Sequence, residues 1–414
     1  MTNQEVAPET SFPKNRIRIL LLENVHESAQ ALMREQGFQL EICRSALSES
    51  ELVERIRDVH VLGIRSKTHV TERVLSEARR LLTLGAFCIG TNQVDLEAAN
   101  RRGVPVFNAP FSNTRSVAEL VIAEVIALAR RLMDRSMEMH DGRWRKLANA
   151  CYEVRGKTLG IIGYGHIGTQ VGVLAESLGL QVLFYDILPR LPIGNNRPAE
   201  SMQAVLAQSD FVTLHVPETP ATRRLIGQTE IAQMKPGAYL LNLSRGSVVD
   251  VEALARALGS GHLAGASADV FPEEPEGNTD QFATVLRGLP NVILTPHVGG
   301  STEEAQEAIG REVASALIKF VNTGATTGSV NFPQVEPPPQ RGRHRLLNVH
   351  ENVPGVLSNI NRIVSDVQAN IEGQILATDS NIGYLLMDLN REVSEEVRQQ
   401  MNRLSTNIRT RVLY

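Results

Sequence analysis

The sequence predicts an α/β protein of two doubly wound parallel-sheet domains followed by a small ferredoxin-like βαββαβ domain. Three observations carry that expectation. Short β-branched or leucine-rich runs alternate with amphipathic stretches in two separate series, the pattern of parallel strands joined by helical crossovers. A proline-rich polar stretch, residues 333–343, interrupts the chain after the second series. Residues 344–414 then carry a strand, a helix, two strands, a helix and a strand, which is the ferredoxin-like order. With 414 residues, 42% of them hydrophobic, the chain can build two or three cores and is too apolar to be disordered.

The elements follow in order. Residues 1–15 are polar, lack the apolar centre of a signal peptide and read as a short mobile tail. Ile17–Leu22 reads as a buried strand, then a helix near Glu27–Gln36 closes at Gly37, and Val59–Ile64, Leu81–Leu84 and Val104–Phe107 read as further strands. From Ser116 to about Met139 the apolar spacing becomes helical, with Ser116 and Glu119 placed as a capping box; a helix of that length can bridge two domains. The second series has strands at Thr158–Ile162, Val182–Tyr185, Phe211–His215, Tyr239–Leu243, Gly265–Asp269 and Val292–Leu294, and Ser301–Val321 returns to helical periodicity. Four prolines within Pro333–Pro339 predict an extended, unpacked linker. Beyond it lie strand Leu346–Val349, helix Gly355–Val367, strands Ile371–Ala377 and Tyr384–Asp388, helix Ser394–Leu404 and strand Ile408–Val412.

Composition removes several classes of function. A net charge of −4 argues against a nucleic-acid partner, which needs a dense basic surface. No apolar run reaches the roughly 18 residues of a membrane helix. Cys43, Cys88 and Cys151 are too few and too scattered for a disulfide framework or a zinc site. The expectation is a soluble protein of the reducing cytoplasm that carries no metal.

Thr158–Ile162 runs directly into Gly163-Tyr164-Gly165-His166-Ile167-Gly168, with an apolar-periodic helix behind it. In a dinucleotide site the first glycine permits the tight turn and the second lets a pyrophosphate approach the backbone. The third lets the helix pack closely on its strand. The helix N-terminus then faces the phosphates with free N–H groups and the positive end of its dipole. The next strand ends in Asp186, where a carboxylate accepts hydrogen bonds from the ribose hydroxyls and repels a 2′-phosphate; Ile187 follows it rather than an arginine. NAD is therefore favoured over NADP.

Three further segments fall at the ends of strands in the same series: Leu243-Ser244-Arg245-Gly246, Asp269-Val-Phe-Pro-Glu-Glu274-Pro, and Thr295-Pro-His297-Val-Gly299-Gly300-Ser301. Hydride chemistry on a 2-hydroxy acid needs a cation for the carboxylate and the C2 oxygen, a group near neutral pKa to exchange the hydroxyl proton, and a carboxylate to orient that group. Arg245, His297 and Glu274 fill those roles in that order. Singly, each has an ordinary reading as a loop arginine, a turn histidine and part of a solvated acidic stretch; behind a dinucleotide fingerprint they form a set.

LSRGSVVD, DVFPEEP and TPHVGGST resemble the three signatures of the D-isomer-specific 2-hydroxyacid dehydrogenases, a likeness that spans roughly Ile17 to Asn331. The resemblance implies catalytic roles for Arg245, Glu274 and His297, and a contact to the nicotinamide side of NAD from Asp269. It implies cofactor contacts at Gly163, Gly165, His166, Ile167, Gly168, Asp186, Leu243, Ser244, Arg245, Asp269, His297, Gly299 and Gly300. It also implies two Rossmann-like domains: a discontinuous substrate-binding domain, 16–112 and 300–332, and an NAD-binding domain, 113–299, with Gly299-Gly300 as a hinge between them.

IRSKTHVT, GAFCIGTNQVDL, PFSNTRSVAEL and GYGHIGTQVG narrow the likeness to the phosphoglycerate-oxidising branch of that family, in its short bacterial form. The branch implies 3-phosphoglycerate and 3-phosphohydroxypyruvate as substrate and product, with Arg65, Ser66, Lys67, Ala86 and Asn113 in the substrate site. Lys67 stands where relatives carry arginine, keeping the charge without the bidentate fork. Cys88, beside these residues, is assigned no chemistry. Asn348-Val-His350-Glu-Asn352-Val-Pro-Gly355 resembles the opening of an ACT domain and Ala369-Asn370-Ile371 the start of its second strand. That likeness implies L-serine as effector at His350, Asn352 and Asn370, and a homo-oligomer, a tetramer held through ACT and NAD-domain contacts. The rival readings are another D-2-hydroxyacid dehydrogenase, such as a glyoxylate or hydroxypyruvate reductase or one with 2-oxoglutarate as a side substrate, and a non-catalytic NAD-sensing corepressor or scaffold.

Overall fold

The computed structural model describes residues 13–275, 281–339, 344–390 and 394–413. It divides into two compact units, one running to Ser112 and resuming at Gln306, the other Asn113–Ala305. Most of the 1–15 tail, residues 340–343 of the expected linker and Glu276 of the acidic stretch lie outside the described residues.

The first unit holds a parallel sheet of β1 (Arg18–Leu21), β2 (Gln39–Ile42), β3 (Val61–Ile64), β4 (Thr83–Ala86) and β5 (Val106–Phe107), in the order β2-β1-β3-β4-β5. β3 and β4 are wholly buried, which is why they read as continuous apolar runs. β2 was not expected, because it is a solvent-facing edge strand whose glutamine and glutamate break the apolar signal. Ser48 and Glu51 form a true capping box at the start of helix Glu49–Arg55, another element absent from the sequence reading. The chain steps from β1 to β2 on one side and then to β3 on the other. That reversal opens a crevice at the carboxyl ends of β1 and β3.

The second unit repeats the plan with β6 (Thr158–Ile162), β7 (Gln181–Tyr185), β8 (Arg197–Pro198), β9 (Phe211–Leu214), β10 (Ala238–Asn242), β11 (Leu263–Ala268) and β12 (Val292–Leu294), in the order β12-β11-β10-β9-β6-β7-β8. Its switch point lies between β6 and β9. The single long helix expected from Ser116 to Met139 is instead two, Thr114–Arg130 and Leu132–His140, broken where Arg131 turns left-handed at φ 51. The first piece buries Val117, Val121, Val125 and Leu128 in the core of the second unit, whereas no residue of the second is fully buried and Asp134 ties it down by accepting from Asn291 N at 3.1 Å. The capping box is not formed either. The helix begins at Thr114, Ser116 hydrogen-bonds Thr302 at 2.8 Å, and Glu119 accepts from Arg115 at 2.6 Å.

The C-terminal segment forms an antiparallel sheet of β13 (His344–Glu351), β14 (Ile371–Thr378), β15 (Ile382–Leu389) and β16 (Asn407–Leu413), in the order β14-β15-β13-β16. Helices Val356–Asp366 and Ser394–Met401 cover one face through Leu346, Leu385, Met387, Ile360 and Val397. The sequence leaves this module separate behind an unpacked linker; the structure does not. Leu347, Val349, Tyr384 and Leu386 on the opposite face share one core with Ile19, Phe107, Phe320 and Phe332 of the first unit. Tyr384 donates to the Gly324 carbonyl at 2.5 Å, and Phe332 meets its ring edge-on. The proline-rich stretch is packed at its start, where Val335 is buried and exchanges hydrogen bonds with Thr326. Farther on, the Pro338 carbonyl accepts from Arg345, whose guanidinium makes a two-pronged ion pair with Asp388 in the interior. Period and spacing in a sequence report a sheet face as apolar, not what will cover it.

Candidate active site

The turn leaving β6 is built from its glycines. Gly163 sits at φ +93, and a Cβ there would collide with the His215 carbonyl at the end of β9. At Gly168 a Cβ would strike the Gly163 carbonyl, so the third glycine is needed for helix His166–Ser177 to start so close to its strand. Gly165 faces open space and caps that helix without any side-chain hydrogen bond. The result is a bare helix N-terminus above a turn with no side chain in the way, which fits a dinucleotide pyrophosphate. His166 is exposed and Ile167 half-buried on the first turn.

Asp186 leaves β7 and accepts from Tyr164 N and Leu188 N, each at 2.9 Å, which fixes its carboxylate beside the glycine turn. An arginine does reach it, four residues on rather than next in sequence: Arg190 Nε lies 3.4 Å from Oδ2. The carboxylate expected to meet the ribose is therefore paired.

Three loops converge at the carboxyl ends of β10, β11 and β12. In the first, Asn242 Oδ1 accepts from Ser244 N and Oγ, its amide donates to the Arg245 carbonyl, and Arg245 itself is half-buried. A Cβ on Gly246 would overlap the Phe271 backbone, so this glycine lets the arginine loop lie directly on the glutamate loop. Glu274 Oε1 accepts from Phe271 N at 3.0 Å and Oε2 meets His297 Nδ1 at 2.8 Å. His297 takes a left-handed conformation, φ 54, and its N–H donates to the Asp269 carbonyl at 2.8 Å.

Asp269 is buried, and its carboxylate accepts from Thr295 Oγ1 at 2.6 Å, Val298 N at 2.8 Å and Gly299 N at 2.8 Å. The side chain expected to contact the nicotinamide thus also holds the histidine loop. A Cβ at Gly299 would come 2.9 Å from Asp269 Oδ2, and one at Gly300 would collide with Asn113. These two glycines are required for space, a reason separate from the hinge role expected of them.

The pair of ionisable groups is tuned in opposite directions. The Glu274 hydrogen bond raises the His297 pKa above the usual imidazole value, against burial, which lowers it. For Glu274, burial raises the pKa, but the hydrogen bonds from His297 and Phe271 N outweigh it and hold the carboxyl below its ordinary value. Glu274 stays a carboxylate, so Nδ1 carries the proton of that bond and Nε2 is left to take or give one. The His297 side chain is 50% exposed, which leaves that nitrogen room to meet a substrate.

On the first unit, Arg65 is half-buried and Ser66 and Lys67 are exposed, in the loop after β3. Ala86 ends β4, fully buried, and Cys88 two residues on lies under the same loop, accepting from Gln93 Nε2 at 3.3 Å. Asn113 is the N-cap of helix Thr114–Arg130 in the second unit.

Comparison with known proteins places this geometry. Residues 122–299 match the NAD binding domain of D-isomer specific 2-hydroxyacid dehydrogenases, and residues 346–409 match an AHAS small subunit-like ACT domain. D-3-phosphoglycerate dehydrogenase of Dictyostelium discoideum is 57% identical over 98% of this chain and all of its own, and that of Escherichia coli K12 is 51% identical over the same shares. The chain belongs to the D-isomer specific 2-hydroxyacid dehydrogenases. Among solved structures, D-lactate dehydrogenase from Aquifex aeolicus, complexed with NAD and lactic acid, has a TM-score of 0.66 at 27% identity, covering 76% of this chain and all of its own.

The protein is thus an NAD-binding oxidoreductase of this family with a C-terminal ACT domain. Within one chain that domain does not unite its expected effector residues. His350 is buried and bonded to Asn348 Oδ1 at 2.9 Å, and Asn352 donates to the Asp379 carbonyl at 2.7 Å. Asn370 precedes Ile371, which pairs with Leu389, whereas His350 pairs with Gly383 at the other end of β15. Six strand residues separate the two rows, roughly 20 Å. Among the described residues no cluster of three or more His, Cys, Asp or Glu could hold a metal, and no helix is long and apolar enough to cross a membrane.

Sequence reasoning missed Glu23, whose carboxylate holds the Arg65 loop, and Gln93, which clamps the Arg65 carbonyl at 2.6 Å. Glu23 lies in no motif, and Gln93, although it falls within GAFCIGTNQVDL, was not singled out there. A lone loop acid and a loop amide carry no periodic signal.

Proposed function

We propose that this enzyme oxidises 3-phospho-D-glycerate to 3-phosphohydroxypyruvate with NAD, as the first committed step of L-serine biosynthesis. The observation that carries the reading is the His297–Glu274 hydrogen bond beside Arg245, in a chain about half identical, end to end, to proteins named D-3-phosphoglycerate dehydrogenase. NAD, which the glycine turn and Asp186 would hold, would supply the acceptor for the hydride from C2. His297 Nε2 takes the C2 hydroxyl proton, and Glu274 stabilises the imidazolium that results. Arg245 holds the carboxylate and the C2 oxygen through its planar fork. Asp186 receives the adenosine ribose hydroxyls, and the bare N-terminus of helix His166–Ser177 receives the pyrophosphate. We assign the substrate phosphate to Arg65 and Lys67, the two cations of the loop after β3.

Assembly and regulation belong to the same proposal. Leu132, Met137, Met139, Trp144 and Leu147 are all more than half exposed on the second unit, an apolar surface of the kind that copies of a chain bury against each other. β14 is an edge strand exposed along much of its length, open to a second sheet. We read the protein as a cytoplasmic homotetramer using both surfaces. Because one chain keeps Asn370 about 20 Å from His350, L-serine contacted by all three effector residues requires a second copy.

The test is NADH oxidation with 3-phosphohydroxypyruvate during an L-serine titration. Rapid turnover suppressed by serine is expected. Turnover indifferent to serine removes the effector role, and NADH binding without turnover transfers the chain to a different hydroxy acid or to the scaffold reading.

A further inference from the structure

The described surface holds several candidates. The exposed apolar helix and the β14 edge belong to the assembly already proposed. Arg409 and Arg411 reach from β16 to carbonyls of Leu81 and Val321, which makes them fasteners of the ACT sheet. The group left over is Glu23.

We infer that Glu23 is the positioning residue for the Arg65–Lys67 loop, and so a determinant of selectivity for phosphorylated substrate; this rests on the reading that the loop binds the phosphate. Glu23 leaves β1 in the left-handed region at φ 61, and Asn24 follows at φ 53. Two successive non-glycine residues there are strained, and such strain persists only where the surroundings over-determine it. The surroundings here are the neighbouring loop. Glu23 is 7% exposed, its Oε1 accepts from Arg65 N at 3.1 Å and Thr68 N at 2.9 Å, and Oε2 accepts from Lys67 N at 2.9 Å.

A buried carboxylate is costly unless hydrogen bonds compensate its charge, and three backbone donors do so. From the other side Gln93 Nε2 donates to the Arg65 carbonyl at 2.6 Å. The backbone of 65–68 is thus fixed on both sides while the Ser66 and Lys67 side chains face solvent. Loop cations held this way meet an anion without first losing backbone freedom, which raises affinity for the anion specifically. The chemistry calls for a carboxylate. Glutamine offers one oxygen, and its NH2 would face an N–H.

The experiment compares wild type with Glu23→Gln on 3-phosphohydroxypyruvate and on hydroxypyruvate, which lacks the phosphate, with NADH binding measured alongside. Wild type is expected to prefer the phosphorylated substrate. In E23Q the KM for that substrate should rise tenfold or more, while kcat, the KM for hydroxypyruvate and the NADH Kd stay within twofold. Equal losses on both substrates, or an unchanged KM, overturn the positioning role. A wild type with no preference for phosphate overturns the reading beneath it and leaves the Glu23 contacts unaffected. Should E23Q fail to fold, amide hydrogen exchange on the wild type decides. Slow exchange at Arg65, Lys67 and Thr68 is expected, and fast exchange overturns the proposal.

Discussion

The two parallel sheets reverse their strand order at equivalent places, yet the two crevices are filled in opposite ways. Between β6 and β9 three glycines keep the turn bare. Gly163 presses on the His215 backbone, Gly165 faces open space, and helix His166–Ser177 has no side-chain cap. Between β1 and β3 the corresponding turn carries Glu23, whose carboxylate bridges to the β3 loop, and the following helix is capped by the His26 imidazole accepting from Ser28 N. One switch point leaves backbone donors for an outside anion. The other satisfies its donors internally and presents side-chain cations instead. The fold supplies the crevice, and the residues of one turn decide what the crevice is for.

Variants sort by which crevice they touch. The largest effect is expected from His297→Ala, which removes the proton acceptor but neither turn: turnover should fall by about 10²- to 10⁴-fold while NADH still binds in a fluorescence titration. Near-normal turnover would defeat the assignment of His297.

Glu274→Gln comes next. Ketone reduction needs protonated His297, so the NADH oxidation rate should decline as pH rises through the elevated His297 pKa. Removing the chief cause of that elevation should move the decline to lower pH in a kcat/KM profile. The sign in the folded protein agrees. A raised imidazole pKa means the contact stabilises fully below the ordinary histidine value and fades as pH climbs past the raised one. A profile that does not move would mean that Glu274 is not the partner that matters.

Gly168→Ala tests the bare crevice directly. The added Cβ meets the Gly163 carbonyl, and NADH affinity measured by titration should drop tenfold or more, about 1.4 kcal/mol. Asn24→Gly is the matching change in the filled crevice, where the left-handed φ of 53 suits glycine. Thermal unfolding should move by less than about 1 kcal/mol in either direction, relief of strain offsetting the entropy of the unfolded chain. A large loss there would show that the Asn24 side chain itself holds the turn.

The difference between the crevices also explains what could be read in advance. GYGHIG is legible because its three glycines fall at fixed spacing within one turn, and Asp186 because it ends the next strand. Arg245, Glu274 and His297 are legible as residue types suited to one chemistry at successive strand ends. Glu23 is not, because its partners lie more than forty residues along the chain. The break at Arg131 was hidden for a related reason. The apolar spacing continues past it, while the second piece is fixed by polar contacts such as Asn291 N to Asp134 Oδ1, which spacing does not record. Asp269 was legible as a position, but its loop partners Thr295, Val298 and Gly299 were not, since they come from another strand end.

By itself the sequence determined the strands of both parallel series except the polar edge β2 and the two-residue β8, the order of the C-terminal module, the cofactor turn and the identities of the three catalytic candidates. All of these are encoded in spacing along a single element or turn. The tertiary structure alone decided that the ACT sheet shares a core with the first unit, that Asn370 lies far from His350, and that a buried glutamate holds the Arg65–Thr68 loop. Those are contacts between segments distant in sequence, and a side chain's partner across such a distance is chosen by packing and by the need to satisfy buried polar groups, which no local pattern records.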